Sequence, residues 1–162
     1  AWVGRGPGGG GPSGLRGRGG GGAVCAGRIE QRFLPAYGSG ADAQMGDSAV
    51  LQVGAERLAF STDSYVVKPL FFPGGSIGDL AVNGTVNDLA MAGAQPVALS
   101  TAFILEEGTP LTELARVAHA VGTAAVAAGV QLVTGDTKVV ASGPGDGVYI
   151  HTDGIGRGDR RA

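Results

Sequence analysis

The sequence predicts an α+β fold, one sheet with helices packed against it, and three observations carry that expectation. The chain has 162 residues, 43% apolar and 16% charged, enough for one domain with a real core. Between residues 47 and 156, apolar runs of strand length alternate with two runs of helix length. Read in order they give ββαβαββ, and strands joined through helices imply helices layered on a sheet.

Each element has its own signal. "RIEQRFLPAYG" reads as the end of a helix stopped by Pro35 and Gly38. "DSAVLQV" and "RLAFSTDSYVV" read as two strands joined by the turn "GAE". Ile77 to Ala94 is long enough for a helix, with Gly93 and Pro96 placed to stop it. That run has almost no charged face, which predicts a helix covered on most sides, with Asn83, Thr85, Asn87 and Asp88 lining a pocket wall. "PVALSTAFIL" reads as a strand. The next helix is capped by Thr109, with Pro110 at its first position, and ended by Gly129. Its apolar stripe is Leu111, Leu114, Val117 (or Ala118), Val121 and Ala125, which leaves His119 as a solvated residue. "VQLVTGDTKVV" and "GVYIHTDGIG" complete the sheet.

Charge is uneven along the chain. Residues 1–32 carry five Arg against one Glu, whereas residues 33–162 carry thirteen acidic against seven basic side chains. An acidic body argues against nucleic-acid binding. Residues 1–27 hold 13 of the 32 glycines and read as a disordered leader that cannot bury a core. Its Arg-Gly pairs have no interleaved aromatic residue, so a flexible leader is preferred over an RNA-binding tract. No apolar run reaches the roughly 18 residues that span a bilayer, and the N-terminus lacks the apolar stretch of a signal peptide. The expected location is the cytoplasm. The single cysteine, Cys25, fits a reducing compartment, and its place in the leader makes it incidental.

Four aspartates carry the chemistry. Asp47 precedes one strand, Asp63 follows "LAFST", Asp88 lies within the charge-poor helix, and Asp136 follows "VQLVTG". Only Asp136 has a nearby basic residue, Lys138. Any one of them reads as a cap or turn residue. Four in a charge-poor domain point to a cation among them, since clustered carboxylates repel. Asp oxygens suit Mg²⁺, which bridges a few carboxylates to substrate phosphates. The chain has neither a G-x-x-x-x-G-K-[ST] loop nor a strand-linked G-x-G-x-x-G, but "FFPGGSIG" and "TGDTK" can present backbone N–H groups to phosphates.

Asp88, Gly93, Ala94 and Pro96 form D-x-x-x-x-G-A-x-P. This resembles the signature of the ATP-dependent superfamily of aminoimidazole ribonucleotide (AIR) synthetase (PurM), selenide water dikinase, thiamine-monophosphate kinase and the hydrogenase maturation factor HypE. "FSTDSYVVKPLFFPGGSIGDLAVNGTVNDLAMAGAQPVALSTAFILEEG" and "VTGDTKVV" resemble the HypE family specifically, because the kinase and dikinase members lack "PLFFPGG". The resemblance covers Phe33 to Gly156. It implies a PurM-like N-terminal domain of ferredoxin-like topology that dimerises through its sheet, with ATP near the interface. It implies Mg²⁺ on Asp47, Asp63, Asp88 and Asp136. The residues expected to contact ATP are Asn83, Asn87, Thr137 and Lys138, with Lys138 the candidate catalytic group.

The implied activity is ATP-dependent dehydration of an S-carboxamide to a thiocyanate, the source of a cyanide ligand for iron in [NiFe]-hydrogenase. The implied partners are a second copy, HypF as carbamoyl donor, and the HypC–HypD complex. The alternatives are another PurM-like enzyme, such as a phosphotransferase, or a non-catalytic dimerisation module. The organisation expected is a leader over 1–27, the ATP-binding domain over 28–156, and a tail over 157–162 that does not resemble the family. The second domain and C-terminal Pro-Arg-Val-Cys tail of such proteins have no counterpart in these residues, so about half of such a protein is expected here.

Overall fold

A computed structural model describes residues 31–37, 47–143 and 145–158. Expectations for the leader, Cys25 and residues 159–162 fall outside the described residues. The chain divides into two units, Ala1–Met45 and Gly46–Ala162. In the first, residues 31–37 are helical (α1), and the Phe33 and Tyr37 rings lie 5.7 Å apart, one turn from each other. The helix continues past Pro35, where the sequence predicted a stop. Proline's fixed φ is a helical value, so it removes one hydrogen bond without forcing the chain out.

The second unit holds the sheet. β1 (Ala49–Val53) and β2 (Glu56–Tyr65) form a hairpin, with Gly54 at φ +60° in its turn. A two-stranded hairpin, β3 (Phe71–Phe72) with β4 (Gly75–Ser76), then feeds α2 (Ile77–Met91). β5 (Ala94–Glu106), α3 (Leu111–Ala128), β6 (Gln131–Val140) and β7 (Val148–Gly158) follow. The order ββαβαββ holds, with β3–β4 inserted and β7 running two residues past Gly156. The five-stranded sheet has the order β1-β2-β7-β5-β6. Every pair is antiparallel except β5–β6, which α3 joins as a crossover.

Both helices cover one face. Ile77, Ala81 and Val82 of α2 and Val117, Val121, Ala124 and Ala125 of α3 pack with Leu99, Leu105, Val148 and Ile150 of the sheet. Gly78 permits the close helix contact, since a Cβ there would lie 2.8 Å from the Val121 backbone nitrogen. The other face is open. Phe60, Ile104 and Ile155 are 39%, 45% and 43% exposed there.

Three local expectations need correction. Ser76 caps α2 by accepting from the Asp79 N–H, but α3 has Pro110 at its cap position with no side-chain cap. The Thr109 hydroxyl instead donates to the Glu106 carbonyl at 2.7 Å, which stabilises the turn leaving β5. Leu111, expected in the α3 core stripe, is 81% exposed because the first turn overhangs the sheet, while Ala124 is buried in the stripe. α2 is also not covered on most sides: Leu80, Asn83, Asn87 and Met91 face solvent. Its low charge reflects small and apolar residues on both sides, not burial on both sides.

Candidate functional site

β2 ends in S-T-D-S-Y, and strand alternation sends Ser61, Asp63 and Tyr65 toward α2, with Thr62 and Ser64 on the open face. The fully buried Ser61 ties three segments together. Its hydroxyl lies 3.0 Å from the Asp47 carbonyl and 3.4 Å from Asp88 Oδ2. Asp88 reaches this point from the third turn of α2. Burial raises its carboxyl pKa, the negative charges of Asp47 and Asp63 raise it further, and the Ser61 hydrogen bond only partly offsets them. Three of the four expected carboxylates therefore converge.

Tyr65 closes the site from below. Its phenol contacts Thr85 Oγ1 at 3.1 Å, and Thr85 contacts Thr152, whose hydroxyl donates to the Ala81 carbonyl at 3.2 Å. Burial pushes the Tyr65 pKa up to about 12; the Thr85 hydrogen bond works against this, and the negative Asp63 and Asp88 add to it. The phenol stays neutral and holds α2 against β7. Ser61, Tyr65 and Thr85 were not singled out as site residues on β2 and β7, although the alternation in "FSTDSY" carries the signal for the first two.

Asp136 does not join this group. It pairs in register with Ala102, which is opposite His151, which is opposite Ser64. Those residues lie on the open face, and Asp63 lies on the helix-covered one. Asp136 instead forms an exposed ion pair with Lys138, whose hydrogen bond and charge hold its carboxyl below the usual range. Thr137, between them, is in register with Phe103 on the covered side and is exposed at the sheet edge. Asn83 and Asn87 share the solvent side of α2, with Asn87 next to Asp88 in sequence.

Among the described residues, no three His, Cys, Asp or Glu side chains are close enough to hold a metal by themselves. The donor set still fits a hard cation. Three carboxylates crowd until one is driven toward protonation, and a cation whose remaining ligands are phosphate oxygens would relieve that crowding.

The profile of the family "AIR synthase related protein, N-terminal domain" matches residues 45–158. The chain is 51% identical over 138 residues to the carbamoyl dehydratase HypE of Azotobacter vinelandii, covering 85% of this chain and 40% of that protein. It is 48% identical over 143 residues to the HypE of Escherichia coli K12, covering 85% and 43%. The chain thus spans about 40% of the length of these relatives. A crystal structure of a HypE–HypF complex superposes with a TM-score of 0.73 at 47% identity, over 80% of this chain and 42% of that one. HypE in complex with ATP superposes with a TM-score of 0.63 at 48% identity, over 83% and 40%. Thiamine monophosphate kinase of Aquifex aeolicus shares the fold at a TM-score of 0.59 and 15% identity, over 77% and 41%.

Proposed function

This chain belongs to the AIR synthase related protein family, and on that premise we propose that it is the nucleotide-binding domain of a HypE-type carbamoyl dehydratase, holding Mg·ATP on Asp47, Asp63 and Asp88. The observation that carries the reading is the convergence of these carboxylates on Ser61, with Asp88 driven toward protonation by its neighbours. A magnesium ion bound there would supply positive charge to the carboxylates and to the phosphates of ATP. The chain's own contribution is positional. β2 fixes Asp63, α2 fixes Asp88, and Ser61 ties the chain at Asp47 to both.

In the proposed whole reaction, ATP activates the oxygen of a carboxamide carried on a cysteine. That oxygen leaves with phosphate, and a thiocyanate remains. HypF is the proposed carbamoyl donor, in keeping with the HypE–HypF complex among the similar structures, and the HypC–HypD complex the proposed acceptor. The cytoplasm is the proposed location. Among the described residues no helix is long and apolar enough to cross a membrane.

A second copy is part of the proposal. Asp136 and Lys138 face away from Asp63 and Asp88, so one chain cannot gather all four aspartates around one ion. The exposed Phe60, Ile104 and Ile155 mark the open face as the surface on which a second copy packs, bringing in its own Asp136 and Lys138. Lys138 is then the group that meets the phosphates, and Asn83, Asn87 and Thr137 are the outer contacts to ATP.

Calorimetric titration with Mg·ATP tests the reading. Saturable binding at about one nucleotide per chain is expected, with a melting temperature that rises with ligand concentration. No heat and no thermal shift at millimolar Mg·ATP would sink it.

A further inference from the structure

The open face has a polar centre. Thr62 and Ser64 of β2, Ser100 of β5, and His151 and Asp153 of β7 form one connected band. His151 Nδ1 lies 2.9 Å from Ser64 Oγ, and His151 Nε2 lies 3.1 Å from both Thr62 Oγ1 and Asp153 Oδ1. Ser100 donates to Asp153 Oδ2 at 3.1 Å, and the Asp153 N–H donates back to Ser100 Oγ at 3.3 Å. Phe60 and Ile155 flank the band toward β1, and Ile104 flanks it toward β6.

The other charges on this face are matched within one chain. Glu56 of β2 meets Arg157 of β7 at 3.2 Å, and Asp136 of β6 meets Lys138. Glu106 of β5 accepts from the Tyr149 hydroxyl at 3.2 Å, at the far end of β7. β1 presents only Ala49, Leu51 and Val53 here. Asp153 is different. The cation beside it is His151, and only when that ring is protonated.

We propose that this band is the polar contact through which the open face meets a second copy of the chain, and that protonating His151 tightens the pairing. The proposal rests on the dimer reading above and adds its registry and its pH dependence. A two-fold interface repeats the same patch on both partners, so each band lies within the buried surface. Above neutral pH each protomer then buries the Asp153 carboxylate beside a neutral imidazole, and an uncompensated buried charge is costly. Histidine gains its charge between about pH 8 and 5, and a protonated His151 neutralises the carboxylate in place. The band can make this change without losing a contact. In the neutral ring Ser64 donates to Nδ1 and Nε2–H donates to Asp153; in the charged ring both nitrogens donate and the Ser64 hydroxyl turns to accept. Proton uptake accompanies association, so the dimer is favoured as pH falls through the histidine range and loses that advantage as pH rises out of it. Below about pH 4 Asp153 is protonated as well, and the gain disappears.

Sedimentation equilibrium of the full chain at pH 8 and pH 6 tests this without any variant. Dimer association several-fold tighter at pH 6 is expected. Asp153→Asn should remove or reverse the trend, because a protonated His151 then has no carboxylate. Ile104→Arg should abolish the dimer at both pH values while circular dichroism stays native. A dimer of equal strength at both pH values, or a trend that persists in Asp153→Asn, overturns the role of the band and leaves the dimer standing. A monomer at both pH values, at tens of micromolar, overturns the dimer reading and this proposal together.

Discussion

β7 shows two chemistries on one strand. Its even residues, Val148, Ile150, Thr152, Gly154 and Gly156, are buried under the helices. Of its odd residues, Tyr149, His151 and Asp153 are half-buried and Ile155 and Arg157 are exposed. Both sides carry a polar network, but of different kinds. On the covered side the groups are neutral hydroxyls and a phenol, closed through Thr85, Thr152, Tyr65 and the Ala81 carbonyl. On the open side they include an imidazole and a carboxylate. Neutral groups can be sealed once their hydrogen bonds are made, whereas ionisable groups stay where water or another surface can answer their charge. The covered side therefore fixes the fold, and the open side is left to respond to its surroundings.

The largest contrast between the faces should come from bulk. A Cβ at Gly154 would lie 2.7 Å from Thr85 Cγ2, 2.9 Å from Leu89 Cδ1 and 3.0 Å from Leu99 Cδ2. Gly154→Val should cost about 3 kcal/mol in urea unfolding, the upper range for overpacking. Ile155→Ser, one residue on and facing out, should cost under about 1 kcal/mol. Similar losses from the two would deny that the faces differ.

Next in size is the hydroxyl network. Thr152→Val keeps the shape but strands the Ala81 carbonyl and a Thr85 contact, and should cost about 1–3 kcal/mol. Ser64→Ala, its open-face counterpart, should stay within about 0.5 kcal/mol in the monomer.

Asp88→Asn should trade binding for stability. Mg·ATP affinity should fall at least tenfold by calorimetry, while the apo melting temperature at neutral pH stays level or rises slightly. The sign follows from the raised carboxyl. A folded pKa above the unfolded one means the native chain holds its proton more tightly, so Asp88 destabilises the fold at neutral pH and the deficit shrinks as pH falls toward its folded value. The melting-temperature difference between parent and variant should accordingly narrow from pH 7 to pH 4. A variant that binds ATP as well as the parent would remove the metal role.

The smallest stability effect belongs to Asp136→Asn. It breaks an exposed ion pair, and such pairs contribute about 0–1 kcal/mol. The melting temperature should hardly move, yet nucleotide affinity should drop if a second copy delivers this residue. Unchanged affinity in a sample shown to be dimeric would confine the site to Asp47, Asp63 and Asp88.

The order of elements was legible in the sequence because it rests on periodicity and on glycines with a fixed task. Gly93 and Gly129 end their helices at φ +71° and +68°, as their positions suggested. The family, too, was legible from D-x-x-x-x-G-A-x-P and "PLFFPGG". What failed was local. Thr109 has the chemistry of a cap, but the Glu106 carbonyl is nearer its hydroxyl than the first turn of α3. The charge-poor α2 suggested a covering that this chain does not supply. The four aspartates were read as one set because sequence spacing says nothing about which side of a sheet a residue takes. Asp136 falls on the far side only through the β5–β6 register, which shifts between Leu99 and Ser100. His151 and Asp153 passed without notice, since two polar residues at alternate positions look like any water-facing edge until the strand proves to be central.

The position of β7 has a consequence for synthesis. It is the final strand of the family match, yet it lies between β2 and β5, and its Arg157 pairs with Leu58 at the other end of the domain. Until β7 leaves the ribosome, the β1–β2 hairpin and the β5–α3–β6 unit have no strand to join them. Contacts this far apart in sequence slow folding, because a long loop must close before its pairing is gained. The nascent chain therefore carries two unsatisfied strand edges through most of its translation, and those edges are what a chaperone, or an aggregating neighbour, would meet first.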